Sequence, residues 1–252
     1  MFTIVPLDVE GEEVMSLAKR FYLVTLVGVF LGLLSGILMY VLTEVYGPLI
    51  SAVIVIFVIM GLNRFLHLDG LSDMGDGLMV LGDKERKLSV MKDSHVGAGG
   101  LAYAMLFVLL SISALANVDR GFYFLAPFAA EVLIKVSMVT CAALGEAREG
   151  LGGIFVKNTS SGTVAVALAI GLVATVPAYI LLAPARVDLA ELTSVLLMMI
   201  IASLVTGAVV ARTAMKHFGV VNGDILGATN EIARPMVLLA LSGALWLAEK
   251  LL

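Results

Sequence analysis

Three aspartates at helical spacing carry the strongest chemical signal in the chain. In His67-Leu-Asp69-Gly-Leu-Ser-Asp73-Met-Gly-Asp76-Gly77 the carboxylates stand at i, i+4 and i+7, which places them on one face of an α-helix. Carboxylates so grouped repel one another, and a hard, oxygen-preferring cation relieves the repulsion. Mg²⁺ suits the set of Asp69, Asp73 and Asp76, because it takes a few carboxylates, keeps waters and bridges to substrate phosphates. Zinc suits it less, since His67 and Asp69 are two residues apart and no cysteine accompanies them. An acidic, solvated helix end is the plainer reading. Against it, Leu71, Met74 and Leu78 make the other faces apolar, so the acids would crowd together at a surface.

Cations and a proton carrier follow closely. Arg86 lies in Asp83-Lys-Glu-Arg86-Lys87, and Lys92, Asp93, Ser94 and His95 run directly into Val-Gly97-Ala-Gly99-Gly100. Arg86 and Lys92 are suited to neutralising phosphate oxygens, and the glycines let backbone approach a ligand closely. His95 is the imidazole best placed to move a proton, although a helix-entry hydrogen bond would account for it equally. Two later segments add to the inventory. Gly145–Phe155 holds Arg148 among four glycines, like a phosphate-wrapping loop in chemistry but without its Gly-Lys-Ser/Thr pattern or strand. Phe218–Glu231 holds Asn222, Asp224 and Glu231; the two acids are seven apart, on one helical face, with Gly227 and Ala228 between them to allow close helix packing. That second acidic helix can complete a site begun by the first, or serve only as a cap and turn.

The elements that must position these groups are membrane helices. Of 252 residues, 60% are hydrophobic and 14% charged, where about 25% charged is usual, and the mean hydropathy is +1.05. A soluble domain could neither bury that apolar surface nor cover it. The net charge of −4 offers no basic face for nucleic acid, and the single Cys141 excludes a disulfide framework. A crossing needs about 20 apolar residues. Residues 21–43, 45–63, 96–118, 121–145, 158–185, 192–211 and 235–252 each offer one, so an all-α, polytopic bundle of about seven spans is expected, as a single domain over 1–252. Residues 1–20 carry Asp8, Glu10, Glu12 and Glu13, wrong for a signal-peptide start, and read as an interfacial segment. Twelve of the 16 Lys and Arg residues fall on one set of connections, which puts that set and the N-terminus in the cytoplasm. Asp69, Asp73, Asp76, Asp93, Asp224, Glu231 and all three histidines fall on the same side. An enzyme at the inner leaflet is the reading that follows.

Inside the spans, Gly28, Gly32 and Gly36 make a helix-packing face. Glu131 and Lys135, at i and i+4 in the fourth span, form either a structural pair or part of a substrate cleft, since ionisable groups at that depth face protein or cavity.

Taken together, these pieces resemble the integral-membrane cobalamin synthases, the adenosylcobinamide-GDP ribazoletransferases. The resemblance rests on His67-x-Asp69-Gly70-Leu71-x-Asp73-x-x-Asp76-Gly77, Met91-Lys92-Asp93-Ser94 with Gly97 and Gly100, Arg148-x-Gly150-Leu151-Gly152 with Phe155, and Gly223-Asp224-x-x-Gly227-Ala228 with Glu231. It covers nearly the whole chain in order. It implies Mg²⁺-dependent attack by the 3′-hydroxyl of α-ribazole, or its 5′-phosphate, on the cobinamide-side phosphorus of adenosylcobinamide-GDP, expelling GMP at the cytoplasmic membrane face. In that scheme Asp69, Asp73 and Asp76 hold the metal, and Lys92 acts with Asp93 or His95 as base. His67, Arg86, Ser94, Lys135, Arg148, Asn222, Asp224 and Glu231 line the substrates. A homo-oligomer is compatible with the scheme. The chain departs from the family in having Lys135 where an Arg is usual. The CDP-alcohol phosphotransferases run a similar displacement, and Asp73-x-x-Asp76-Gly77 copies the start of their motif. Met79-Val80-Leu81 then stands where their Ala-Arg belongs. A transporter or membrane scaffold would thread polar residues through several spans, and only Glu131 and Lys135 qualify.

Overall fold

In hydrocarbon every backbone polar group must be satisfied within the protein, which leaves helices or closed barrels, and this chain uses helices. The computed structural model describes residues 11–251 except Ser94 and Arg186. Among the described residues there are ten α-helices and no β-sheet: α1 Gly11–Lys19, α2 Val24–Leu62, α3 Leu66–Met79, α4 Lys84–Met91, α5 Ala98–Ala116, α6 Leu125–Leu144, α7 Leu151–Lys157, α8 Ser161–Leu182, α9 Leu189–His217 and α10 Gly223–Leu251. Residues 1–10 of the expected interfacial segment lie outside the described residues. The remainder forms α1, which packs against α7 and leaves Met15 and Leu17 exposed.

Six helical stretches are long and apolar enough to cross a membrane, and the first, Phe21–Leu62, has 42 residues. At 1.5 Å per residue it is about twice as long as the ~30 Å hydrocarbon layer is thick. It is interrupted at Gly47, whose φ of 74° and ψ of 169° are not helical, just before Pro48. Arg120, beyond the end of α5, bonds Glu44, whereas α3 packs against the beginning of α5 through Gly75 and Gly100. Glu44 and Leu66 therefore lie at opposite ends of α5, and the residues between them cross back. Counting the two halves of Phe21–Leu62 separately, the described residues offer seven crossings.

The last crossing begins earlier than the sequence suggests. α10 starts at Gly223, and Pro235 lies inside it. The reason is local: the Asn222 side-chain oxygen accepts the Ile225 N–H at 3.0 Å and so caps the helix twelve residues before the proline. Asn230, Glu231 and Arg234 thereby belong to the span and not to a connecting loop.

α6 is the central helix. It is apolar around most of its circumference and buried from Leu125 to Ala142, as such a helix must be. Glycines bring its neighbours close. A Cβ at Gly28 or Gly32 would stand 2.6 Å from the Glu131 or Phe128 carbonyl oxygen, and at Gly207 2.4 Å from that of Ser137. The Gly28, Gly32, Gly36 stripe is thus the face on which α2 meets α6. Cys141 is buried in the same core.

Candidate active site

α3 does not continue α2. Arg64 and Phe65 adopt left-handed backbone conformations, with φ of 54° and 56°, and turn the chain so that α3 is wedged between α10 and α5. Two glycines make the wedge fit. A Cβ at Gly70 would lie 2.5 Å from the Asp224 carbonyl oxygen, and one at Gly227 3.1 Å from the His67 Cα. This close crossing brings Asp69 and Asp73 of α3 beside Asp224 in the first turn of α10.

The three carboxylates share a cavity of about 400 Å³, completed by Met91, Lys92, Asp93 and Val96. Partial burial, and then the charges of Asp69, Asp224 and Asp76, push the Asp73 carboxyl up to about 7. Asp93, in the same lining, accepts a hydrogen bond from the His95 N–H at 3.0 Å and pairs with His95 Nδ1 at 2.7 Å. These bonds hold its carboxyl below the usual range.

Asp76, expected with Asp69 and Asp73 at the metal, is not in the lining of this cavity. Its two oxygens accept the N–H groups of Gly97 and Gly100, each at 2.7 Å, and so cap α5, whose first turn has no side-chain cap of its own. Gly97 and Gly100 are required here, because a Cβ at either would collide with the Asp76 carboxylate.

A second cavity of about 370 Å³ adjoins the first and shares Asp69 and Asp224 with it. It is lined by His67, Asn222, the glycines from 150 to 153, and the apolar side chains of Phe21, Leu66, Met138, Leu151, Phe155 and Leu226. Two of the connections that contribute walls are joined by a hydrogen bond from the Val221 N–H to the Glu146 carbonyl at 2.8 Å. The His67 Nδ1 is buried without a hydrogen-bond partner. Burial, and then the nearby Lys135 and Arg234, keep this imidazole well below its usual pKa, so it is neutral.

Beneath both cavities lies a buried ionic network. Arg234 of α10 donates to Glu131 of α6 at 2.9 Å and to Glu231. Lys135 donates to Asn230, which in turn donates to Glu231 at 2.9 Å. Glu131 therefore pairs with Arg234 and not with Lys135 one turn away. Lys135 and Glu231, expected against substrate, are 1% and 2% exposed and line neither cavity. Their charges are consumed in holding α10 to α6. The sequence reading missed Arg234 and Asn230 because it began the last span at Pro235. The i, i+3 spacing of Glu231 and Arg234 was the available signal.

The other expected residues differ in their placement. Arg86 and Arg148 are exposed and outside both linings, as is His95, whose side chain is 91% exposed. Asn222 donates to Asp224 at 3.0 Å while capping α10. Ser94 lies outside the described residues. Among the described residues no three His, Cys, Asp or Glu side chains are already arranged to hold one metal ion. Three carboxylates on one cavity wall still suit Mg²⁺, which commonly takes one or two carboxylates together with water and substrate phosphate.

Comparison with known proteins gives a consistent result. Residues 1–242 match the Cobalamin-5-phosphate synthase (CobS) family. The adenosylcobinamide-GDP ribazoletransferase of Methanococcoides burtonii is 34% identical over 256 residues, covering 96% of this chain and 88% of the relative. That of Methanocella arvoryzae is 33% identical, covering 97% and 93%, and that of Chlorobium phaeovibrioides 34%, covering 94% and 93%. No solved structure gives a significant match. With a family match across nearly the whole length, laid over seven crossings and an acidic cleft at the end of two of them, the chain belongs to the Cobalamin-5-phosphate synthase family.

Proposed function

We propose that this chain joins α-ribazole, or its 5′-phosphate, to adenosylcobinamide-GDP and releases GMP, as the names of its relatives suggest. The observation that carries the reading is the meeting of two cavities at Asp69 and Asp224, with Asp73 beside them. A transfer between two substrates needs two seats and one shared centre, and much of its rate comes from alignment.

The acceptor hydroxyl forms a new bond to the cobinamide-side phosphorus. The bond from that phosphorus to the bridging oxygen breaks, and GMP leaves with its electrons. Asp93, which lines the cavity and is oriented by His95, receives the hydroxyl proton; His95 acts through Asp93. Lys92, in the same lining, balances diphosphate charge. Asp69, Asp73 and Asp224 would hold Mg²⁺, while Asp76 supports them by fixing α3 to α5. Bound there, Mg²⁺ supplies positive charge to the phosphate oxygens. The excess of Lys and Arg on the connections around the site supports a cytoplasmic face.

The test is GMP release by the purified chain in lipid nanodiscs, supplied with adenosylcobinamide-GDP and either acceptor. Turnover is expected with Mg²⁺ and is expected to stop with a chelator. CDP-activated lipid with a polyol serves as the control pair. Release of CMP from that pair, and no GMP from the first, overturns the reading.

A further inference from the structure

The two cavities meeting at Asp69 and Asp224 differ in what they can hold. The one at Lys92 has a charged lining: three carboxylates from α3 and α10, together with Lys92 and Asp93. The other is walled by Phe21, Leu66, Met138, Phe155 and Leu226. Among the described residues no Lys or Arg lines it, and its ionisable groups are His67, Asp69, Glu149 and Asp224. A diphosphate lying within it would meet acids and no Lys or Arg side chain of its lining.

We infer that this second cavity seats the aromatic base and ribose of the α-ribazole acceptor, leaving the cavity at Lys92 to the diphosphate ester. The assignment rests on the ribazoletransferase reading above and adds to it which substrate goes where. Size supports it: at about 370 Å³ the cavity lies near the low end of the ~300–1,000 Å³ range of small-ligand pockets. That is room for a nucleoside and not for a corrinoid. Chemistry agrees, because a flat, uncharged heterocycle is matched by Phe21 and Phe155, whose rings meet edge to face at 5.0 Å, and by Leu66 and Met138. His67, whose buried Nδ1 has no hydrogen-bond partner, offers the wall a polar group able to orient such a ligand.

The geometry also assigns direction. A nucleoside with its base among the apolar walls has its ribose toward Asp69 and Asp224, where the cavities join. Its hydroxyl is thereby brought to the junction with the cavity lined by Lys92, where the diphosphate ester is seated. The glycine loop closes the cavity against α10. A Cβ at Gly152 would stand 2.2 Å from the Gly223 nitrogen, so only glycine lets the loop approach the helix start.

Leu66 is the residue to change, because it lines the cavity yet is 52% exposed and tolerates a larger side chain. In nanodiscs, L66W is expected to raise KM for α-ribazole about tenfold, the equivalent of ~1.4 kcal/mol of overpacking, with KM for adenosylcobinamide-GDP unchanged. K92A is expected to give the reverse pattern. α-Ribazole alone is expected to raise the Tm of the wild-type chain and to lose that effect in L66W. Should L66W not fold, L66A provides the same comparison, with a smaller rise confined to α-ribazole. The inference is overturned if L66W raises KM for adenosylcobinamide-GDP instead, or moves neither KM, as a cavity filled only by lipid would predict. A wild-type chain that releases no GMP overturns the parent reading, so the two failures are distinguishable.

Discussion

Two turns of α10 separate Asp224 from Glu231, and they separate two opposite uses of charge. Around Glu231 the acids Glu131 and Glu231 face the bases Arg234 and Lys135, with Asn230 bridging, and the cluster is buried and balanced. Around Asp224 four carboxylates, those of Asp69, Asp73, Asp93 and Asp224 itself, line a cavity with the one cation Lys92, and Asp73 is pushed up to about 7. α10 contributes to both clusters, meeting α6 at the balanced one and α3 at the acidic one. Balance is what divides them: a buried group without an opposite charge is too costly to persist as mere structure, whereas a solvent-reached, unbalanced cluster has something left to bind.

The comparison breaks most visibly if the balanced side is unbalanced. Arg234→Met leaves Glu131 and Glu231 buried without their cation, and removing one partner of a buried pair costs about 3–5 kcal/mol. A large fall in melting temperature in detergent is expected, with activity lost alongside the fold. A variant that melts with the wild type would show that the network carries no structural load.

The acidic cavity should respond in the opposite sense. Asp224→Asn removes one of the mutually repelling carboxylates while the Asn222 cap on the Ile225 N–H remains. Melting temperature without metal should hold or rise. The turnover number, measured by GMP release, should fall about 10²–10³-fold, the loss typical of a group that stabilises charge at a reaction centre. Equal losses of stability and activity would erase the distinction between the clusters.

Much of this was legible before the structure. Asp69, Asp73, Lys92, Asp93 and Asp224 were singled out by type and spacing, and they do line one cavity, because an i, i+4 pattern on a short helix leaves little freedom. Gly28, Gly32 and Gly36 likewise announced a packing face. What spacing could not convey was how each side chain is used. Asp76 satisfies i+7 and yet turns to the amides of Gly97 and Gly100, a contact more than twenty residues away. Glu131 prefers Arg234 to Lys135 because a facing helix supplies better geometry than the next turn of its own. The apolar cavity escaped notice because its walls are ordinary hydrophobic residues from five distant segments.

The subtlest expected effect concerns protons. The Asp73 carboxyl titrates near 7 in the folded chain and in the ordinary carboxylate range, about 3.9, when unfolded. Between those values the folded state holds the extra proton, so stability without metal should decline as pH rises from about 4 to 7 and level off above. A cation held by the ionised carboxylate opposes this. Mg²⁺ affinity should therefore rise with pH up to about 7, with proton release on binding below that point. Titration calorimetry in buffers of different ionisation enthalpy, at pH 6 and 8, measures both. In Asp73→Asn the downward drift of stability should vanish together with the proton release. If the drift vanishes but release persists, a different carboxylate of the cavity carries the proton and the charge imbalance has been placed on the wrong turn of α3. If Mg²⁺ binds with the same affinity at both pH values, the acidic wall is no more hungry for charge than the buried network beneath it.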